Sequence, residues 1–119
     1  MNQEIQNHWG HLESVGESKV IHKLHKDTTI VGANDILCNI VIKHPNVSNQ
    51  HCIINYKRYN HSAIITNISE HKLYINNKKL CKESLQIRTG DVINFGQTEE
   101  IVENLNLQPA KFTYKFNNN

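Results

Sequence analysis

The β-branched and aromatic residues of this chain come in short runs, each closed by a turn signal, and none extends into a helical stripe longer than about two turns. A helix interrupted so often cannot bury a face, whereas a strand needs only a few alternating residues before the chain turns back. Val20, His22 and Leu24 alternate with Ile21, Lys23 and His25. Residues 28–31 (TTIV) stop at Gly32, and residues 40–42 (IVI) stop ahead of His44-Pro45. Residues 52–56 (CIINY) and 63–66 (AIIT) follow, parted by a polar turn over 57–61. Residues 73–75 (LYI) and Lys79-Leu80 flank Asn76-Asn77, and asparagine tolerates left-handed backbone angles, so a tight hairpin is predicted there. Residues 92–95 (VINF) follow the Thr89-Gly90-Asp91 turn, and residues 112–116 (FTYKF) alternate again to close the fold. Residues 99–110 are less regular and read as a strand extension plus a loop. The pattern predicts an all-β protein, a β-sandwich with no internal repeat.

A length of 119 residues suits one domain with one core. Residues 1–8 are polar and read as a flexible lead-in; Trp9, Gly10 and Leu12 open the domain, which is expected to span 9–116. Asn117, Asn118 and Asn119 read as the start of an asparagine-rich linker, which predicts a module within a longer protein. The net charge of +2 is small, and the lysines at 78, 79 and 82 with Lys57 and Arg58 lack interleaved aromatic residues. Nucleic acid is therefore not an expected partner. Three cysteines, Cys38, Cys52 and Cys81, form no close pair and fit a reducing compartment. None of the eight histidines stands at finger-like spacing from a cysteine pair, so no metal and no cofactor are expected. The first twenty residues hold no secretory signal and nothing later is apolar enough to span a membrane, which predicts no membrane role and a nuclear or cytoplasmic location.

Four stretches stand where strand patterns break into loops: Gly32-Ala33, then Ser48-Asn49-Gln50-His51, then residues 67–77, then residues 90–96 (GDVINFG). Small polar side chains are thus presented from the end of a sheet, where the strands fix the loop bases and leave the tips exposed. Their order and spacing resemble the forkhead-associated (FHA) domain, a β-sandwich that recognises phosphothreonine peptides through G-R, S-x-x-H, D-x-S-x-N-G-T-F-V-N and G-D-x-I-x-F-G motifs. The resemblance implies an FHA-type β-sandwich of two antiparallel sheets with about 10–11 strands; it covers about residues 10–116 and is closest in the Ser48–His51 and 90–96 blocks. Trp9-Gly10, residues 28–31, Cys38 and residues 40–42 are further similar to FHA domains of checkpoint-type protein kinases, which suggests the targeting domain of a kinase.

The resemblance implies that Ser48 gives its hydroxyl to a phosphate and that Asn49 assists; without it, Ser48 would read as a loop serine capping the next strand. It implies structural roles for Gly32, His51, Ser69, Asn76, Gly90, Asp91 and Phe95, with His51 holding loops together. It also exposes departures. Ala33 stands at the arginine that is a principal phosphate ligand, Asn67 at the motif's aspartate, and His71 at the asparagine that bonds the bound peptide. Lys72 and Leu73 replace the glycine and threonine that follow. Glu70, His71 and Lys72 form the substituted loop tip, where Lys72 could supply a cation and His71 could add charge below neutral pH, or both could be solvated surface. An exposed Leu73 would fit a protein contact; otherwise it is core.

A phosphothreonine dianion calls for converging donors. The expected function is therefore a protein–protein interaction module that binds a phosphothreonine-containing protein or peptide through a weakened or remodelled phosphate site. The alternative is a pseudo-FHA domain that binds an unphosphorylated partner or itself. No nucleophile–base pair, carboxylate pair or glycine-rich phosphate loop is present, so no catalytic residue is proposed and the domain is not read as an enzyme.

Overall fold

Residues 8–15, 19–95 and 113–119 are described by a computed structural model, and among them there is no helix. Residues 1–7, Gly96, the irregular 99–110 stretch and Phe112 lie outside the described residues. Eleven strands follow in order: β1 (Gly10–Ser14), β2 (Ile21–Leu24), β3 (Thr28–Gly32), β4 (Ile40–Val41), β5 (Cys52–Lys57), β6 (Ser62–Asn67), β7 (Leu73–Ile75), β8 (Lys78–Lys79), β9 (Ser84–Ile87), β10 (Val92–Phe95) and β11 (Thr113–Asn118). They form a six-stranded sheet, β2-β1-β11-β10-β7-β8, and a five-stranded sheet, β4-β3-β5-β6-β9. The all-β sandwich expected from the spacing is the fold that forms. All pairings are antiparallel except β3–β4, where Val31 and Gly32 run parallel to Ile40 and Val41.

Alternation does most of the work. Along β5 and β6 every second residue is buried, so Cys52, Ile54, Tyr56, Ala63, Ile65 and Asn67 face inward. Leu12, Leu24, Phe95 and Phe116 close the core from the other sheet. Trp9 lies flat on Tyr56, ring centroids 4.2 Å apart, and its indole N–H donates to the Lys26 carbonyl at 2.9 Å. Leu73 is fully buried, so the protein contact considered for it does not exist.

Two boundaries differ from the sequence reading. Asn117 and Asn118 are ladder residues opposite His11 and Gly10, and the Asn118 N–H donates to Thr89 Oγ1 at 2.9 Å. Pairing with β1 thus carries the last strand past Phe116, where a linker was expected. Strand β9 was not foreseen: Leu85 and Ile87 alternate with Ser84 and Gln86, but the run is only four residues long and only Ile87 is buried. At the other margin of the fold, β8 ends the six-stranded sheet with two exposed lysines.

The β7–β8 turn is tighter than most. Asn76 and Asn77 both have positive φ, 52° and 69°, the backbone of a type I′ hairpin turn. Asn76 also holds the next turn: its side chain donates to Asp91 Oδ1 at 3.0 Å and accepts from the Val92 N–H at 2.9 Å. Asp91 Oδ2 accepts from the Arg88 N–H at 2.7 Å, and Gly90 occupies φ 99°. Replacing Asn77 by valine should destabilise the fold by about 1–2 kcal/mol, because a β-branched residue resists the left-handed region. Asn77→Gly should be neutral or stabilising. Urea midpoints of the two variants against the parent chain check both signs.

Candidate functional site

Three segments meet at one end of the sandwich: the chain leaving β3, the β4–β5 loop, and the β6–β7 loop. Gly32 brings the first two together. A Cβ there would lie 2.3 Å from the Asn49 carbonyl oxygen and 2.8 Å from that of Ser48, so only glycine permits the approach. The Ala33 and Asn34 N–H groups then donate to the Ser48 and Asn49 carbonyls at 2.9 and 3.3 Å. The Cys38 thiol donates to the same Asn49 carbonyl at 2.8 Å, and burial keeps that thiol protonated by raising its pKa. Ala33 itself is half-buried against the core and brings no polar group to the rim.

His51 joins the second segment to the third. Its Nδ1 accepts from the Ser48 N–H at 3.2 Å, and its Nε2 donates to the Lys72 carbonyl at 3.1 Å, which fixes the neutral Nε2–H tautomer. Its backbone N–H donates to Val31 and its carbonyl accepts from Ile68. The Phe95 ring packs edge-on against it at 5.5 Å. The side chain is fully buried, and that burial lowers its pKa to about 4.

The β6–β7 loop is shaped from below by Asn67, 2% exposed. Its amide donates to the Leu80 and His71 carbonyls at 2.7 and 3.3 Å, while its Oδ1 accepts from the Ser69 N–H at 3.0 Å. An aspartate could accept here but not donate twice. The sequence reading recorded this residue only as a motif departure; a polar residue at a strand end gave no sign of three bonds. Ser69 Oγ accepts from the His71 N–H at 2.8 Å and is bonded to Ser48 Oγ. Ser48 Oγ also lies 2.9 Å from His71 Nδ1.

The rim therefore brings together Ser48, Ser69 and His71, with Asn49 and Lys72 exposed beside them. Glu70 points elsewhere, paired with Lys82 at the start of the β8–β9 connection, and that ammonium holds its carboxyl below the usual range. Gly90, Asp91 and Asn76 sit in the two bonded turns described above, apart from the rim contacts.

The family model described as the FHA domain matches residues 29–96, more than half of the chain. The chain belongs to the FHA family. No curated protein matches it significantly in sequence. Among solved structures, the FHA domain of CT664 from Chlamydia trachomatis is similar at 17% identity, covering 92% of this chain and 97% of that one, with a TM-score of 0.72. The N-terminal FHA domain of S. cerevisiae Rad53p, solved with a phosphothreonine peptide, is similar at 15% identity, with 92% and 93% covered and a TM-score of 0.74. The yeast Dun1 FHA domain, solved with a doubly phosphorylated peptide, matches at 17% identity, 98% and 80% coverage and 0.68. At these identities the likeness is one of fold.

The buried imidazole of this FHA domain has a consequence for stability. The unfolded chain takes up a proton on His51 near pH 6.5, while the folded chain takes it up only near pH 4. Stability is thus complete above the unfolded value and falls as pH drops through that window, by up to about 3 kcal/mol. His22, whose pKa burial also lowers, adds a slope of the same sign. Urea midpoints measured at neutral pH and again near pH 4.5 should show the loss, and His51→Asn should be less stable at neutral pH yet lose most of that slope.

Proposed function

We propose that this FHA domain is a phosphothreonine-dependent protein-interaction module whose phosphate grip has been rebuilt without arginine. The observation that carries the proposal is the convergence of Ser48 Oγ and His71 Nδ1, 2.9 Å apart, at a rim where Asn49 and Lys72 are exposed. A phosphate dianion offers three acceptor oxygens, and hydroxyl, amide and cationic donors around one point are what it requires. Ser48 and Asn49 supply the neutral donors in this reading, and His71 and Lys72 the nearby positive charge. Ala33 leaves the arginine position empty of charge, which weakens binding. Glu70, committed to Lys82, is assigned no contact with phosphate. The similar structures of Rad53p and Dun1 were solved with phosphothreonine peptides, which supports the ligand class.

A second reading has its own observation. Ser48 Oγ is already bonded to Ser69 and His71, so the hydroxyl has internal partners and need not await a ligand. That arrangement suits a pseudo-FHA domain that meets an unphosphorylated partner or a second copy through another surface.

One titration separates the two. A labelled degenerate phosphothreonine peptide pool should bind, its unphosphorylated counterpart should not, and Ser48→Ala should abolish most of the signal. Ala33→Arg should raise affinity roughly ten- to a hundredfold, the worth of one charge-assisted hydrogen bond of about 1.5–3 kcal/mol. Equal binding of both pools, or an Ala33→Arg curve that overlies the parent's, would favour the phosphate-independent reading.

A further inference from the structure

Ser48, Ser69 and His71 form a ring of hydrogen bonds at the rim, closed through the His71 backbone. The His71 backbone N–H donates to Ser69 Oγ at 2.8 Å, Ser69 and Ser48 share a hydrogen bond between their hydroxyls, and Ser48 Oγ lies 2.9 Å from His71 Nδ1. The ring thus starts and ends on the same residue. When Nδ1 carries no proton, every hydroxyl proton has an acceptor inside the ring: Ser69 donates to Ser48, and Ser48 donates to His71. An anion approaching that arrangement meets lone pairs where it needs donors.

A proton on Nδ1 reverses the last bond. The imidazolium becomes the donor and Ser48 Oγ the acceptor. Whichever serine then donates to the other, one hydroxyl proton is left without an internal acceptor and is free for a ligand. The neutral Nδ1–H tautomer would also free that hydroxyl, but only protonation adds a positive charge within a hydrogen bond of Ser48 while releasing the hydroxyl donor at the same rim. Ala33, which replaces the family's arginine, adds no charge of its own.

We infer that His71 is the charge-bearing phosphate ligand of this domain and that phosphopeptide binding is coupled to uptake of one proton by its imidazole. The inference rests on the phosphothreonine-binding reading above and names how that site is regulated. Histidine is the side chain whose charge ordinarily changes between about pH 5 and 8, which sets the range over which the coupling is tested.

The surrounding groups leave this role to His71. Just ahead of β5 the neighbouring His51, its ring centroid 6.1 Å away, stays uncharged down to about pH 4. On the β6–β7 loop Glu70 is paired with Lys82 from the β8–β9 connection, and Lys72 is exposed. The β4–β5 loop brings no ionisable side chain between Ser48 and Gln50. Across the rim the ionisable side chains of residues 33–39 are Asp35 and Cys38, and the Cys38 thiol is held protonated.

The test compares the affinity of the labelled phosphothreonine pool for the parent domain and for His71→Gln, from about pH 8 to about pH 6. The ratio of parent to variant should rise about tenfold as the pH falls, the smallest effect expected of one charge-assisted hydrogen bond. The phosphate's own second ionisation, near about pH 6, acts on both proteins and cancels in the ratio. In the parent domain, NMR titration of the His71 ring should move to higher pH on saturation with the pool, by about one unit for a tenfold coupling. This second measurement needs no variant and decides the matter if His71→Gln fails to fold. A ratio level across the range, or a His71 titration unmoved by the pool, would overturn the inference while leaving phosphopeptide binding in place. Absence of phosphate-dependent binding at every pH would overturn the functional reading and the inference together.

Discussion

A single neutral imidazole ties this molecule's working end together. His51 uses its backbone N–H and carbonyl and both ring nitrogens, reaching Val31, Ile68, Ser48 and Lys72. No other buried side chain described above touches both the Ser48 loop and the β6–β7 loop while packing on the opposite sheet through Phe95. The tie works only in the uncharged state, since Nδ1 must accept, and full burial enforces that state. The geometry of the rim thus depends on a core property, the exclusion of water from one ring.

Much of this was legible in the sequence, and the physical reason is periodicity. Strands β5 and β6 announce themselves because alternate residues must enter the core, and β3, β7 and β10 because short β-branched and aromatic runs, mostly buried, end at turn signals. Gly90-Asp91 and Asn76-Asn77 announce turns because few residues accept positive φ. Strand β9 was missed because a four-residue alternation at a sheet edge, with one residue buried, is too short a pattern to stand out. The end of β11 was misjudged for a related reason: asparagines carry no strand signal, and only the ladder with β1 orders them.

The rim was harder to read than the frame. The resemblance to the FHA motifs picked out Ser48, His51, Ser69 and His71 as one set, and loops converging at one end of a sandwich bring them together. It could not reveal that Asn67 shapes the loop from beneath with two donated bonds, or that Cys38 buttresses the Asn49 carbonyl. Such bonds depend on where a backbone carbonyl happens to face, a property of three-dimensional arrangement. Nor could it separate Glu70 from its neighbours, although the pair with Lys82 turns that carboxylate away. Substitution at the tip and retention at the base is a coherent pattern: residues 70–72 are exposed and can vary, while buried Asn67 and Ser69 hold the loop.

The two exposed lysines of β8 bear on how copies of the domain behave when crowded. A sheet margin exposes unpaired amide and carbonyl groups that could template another chain's strand. Here the margin is only Lys78–Lys79, too short to register a neighbour and charged alike on every copy. Molecules gathered at high local density on a shared scaffold would therefore repel along that border and stay discrete, so fibrillar zippering from this side is blocked by electrostatics and brevity alone.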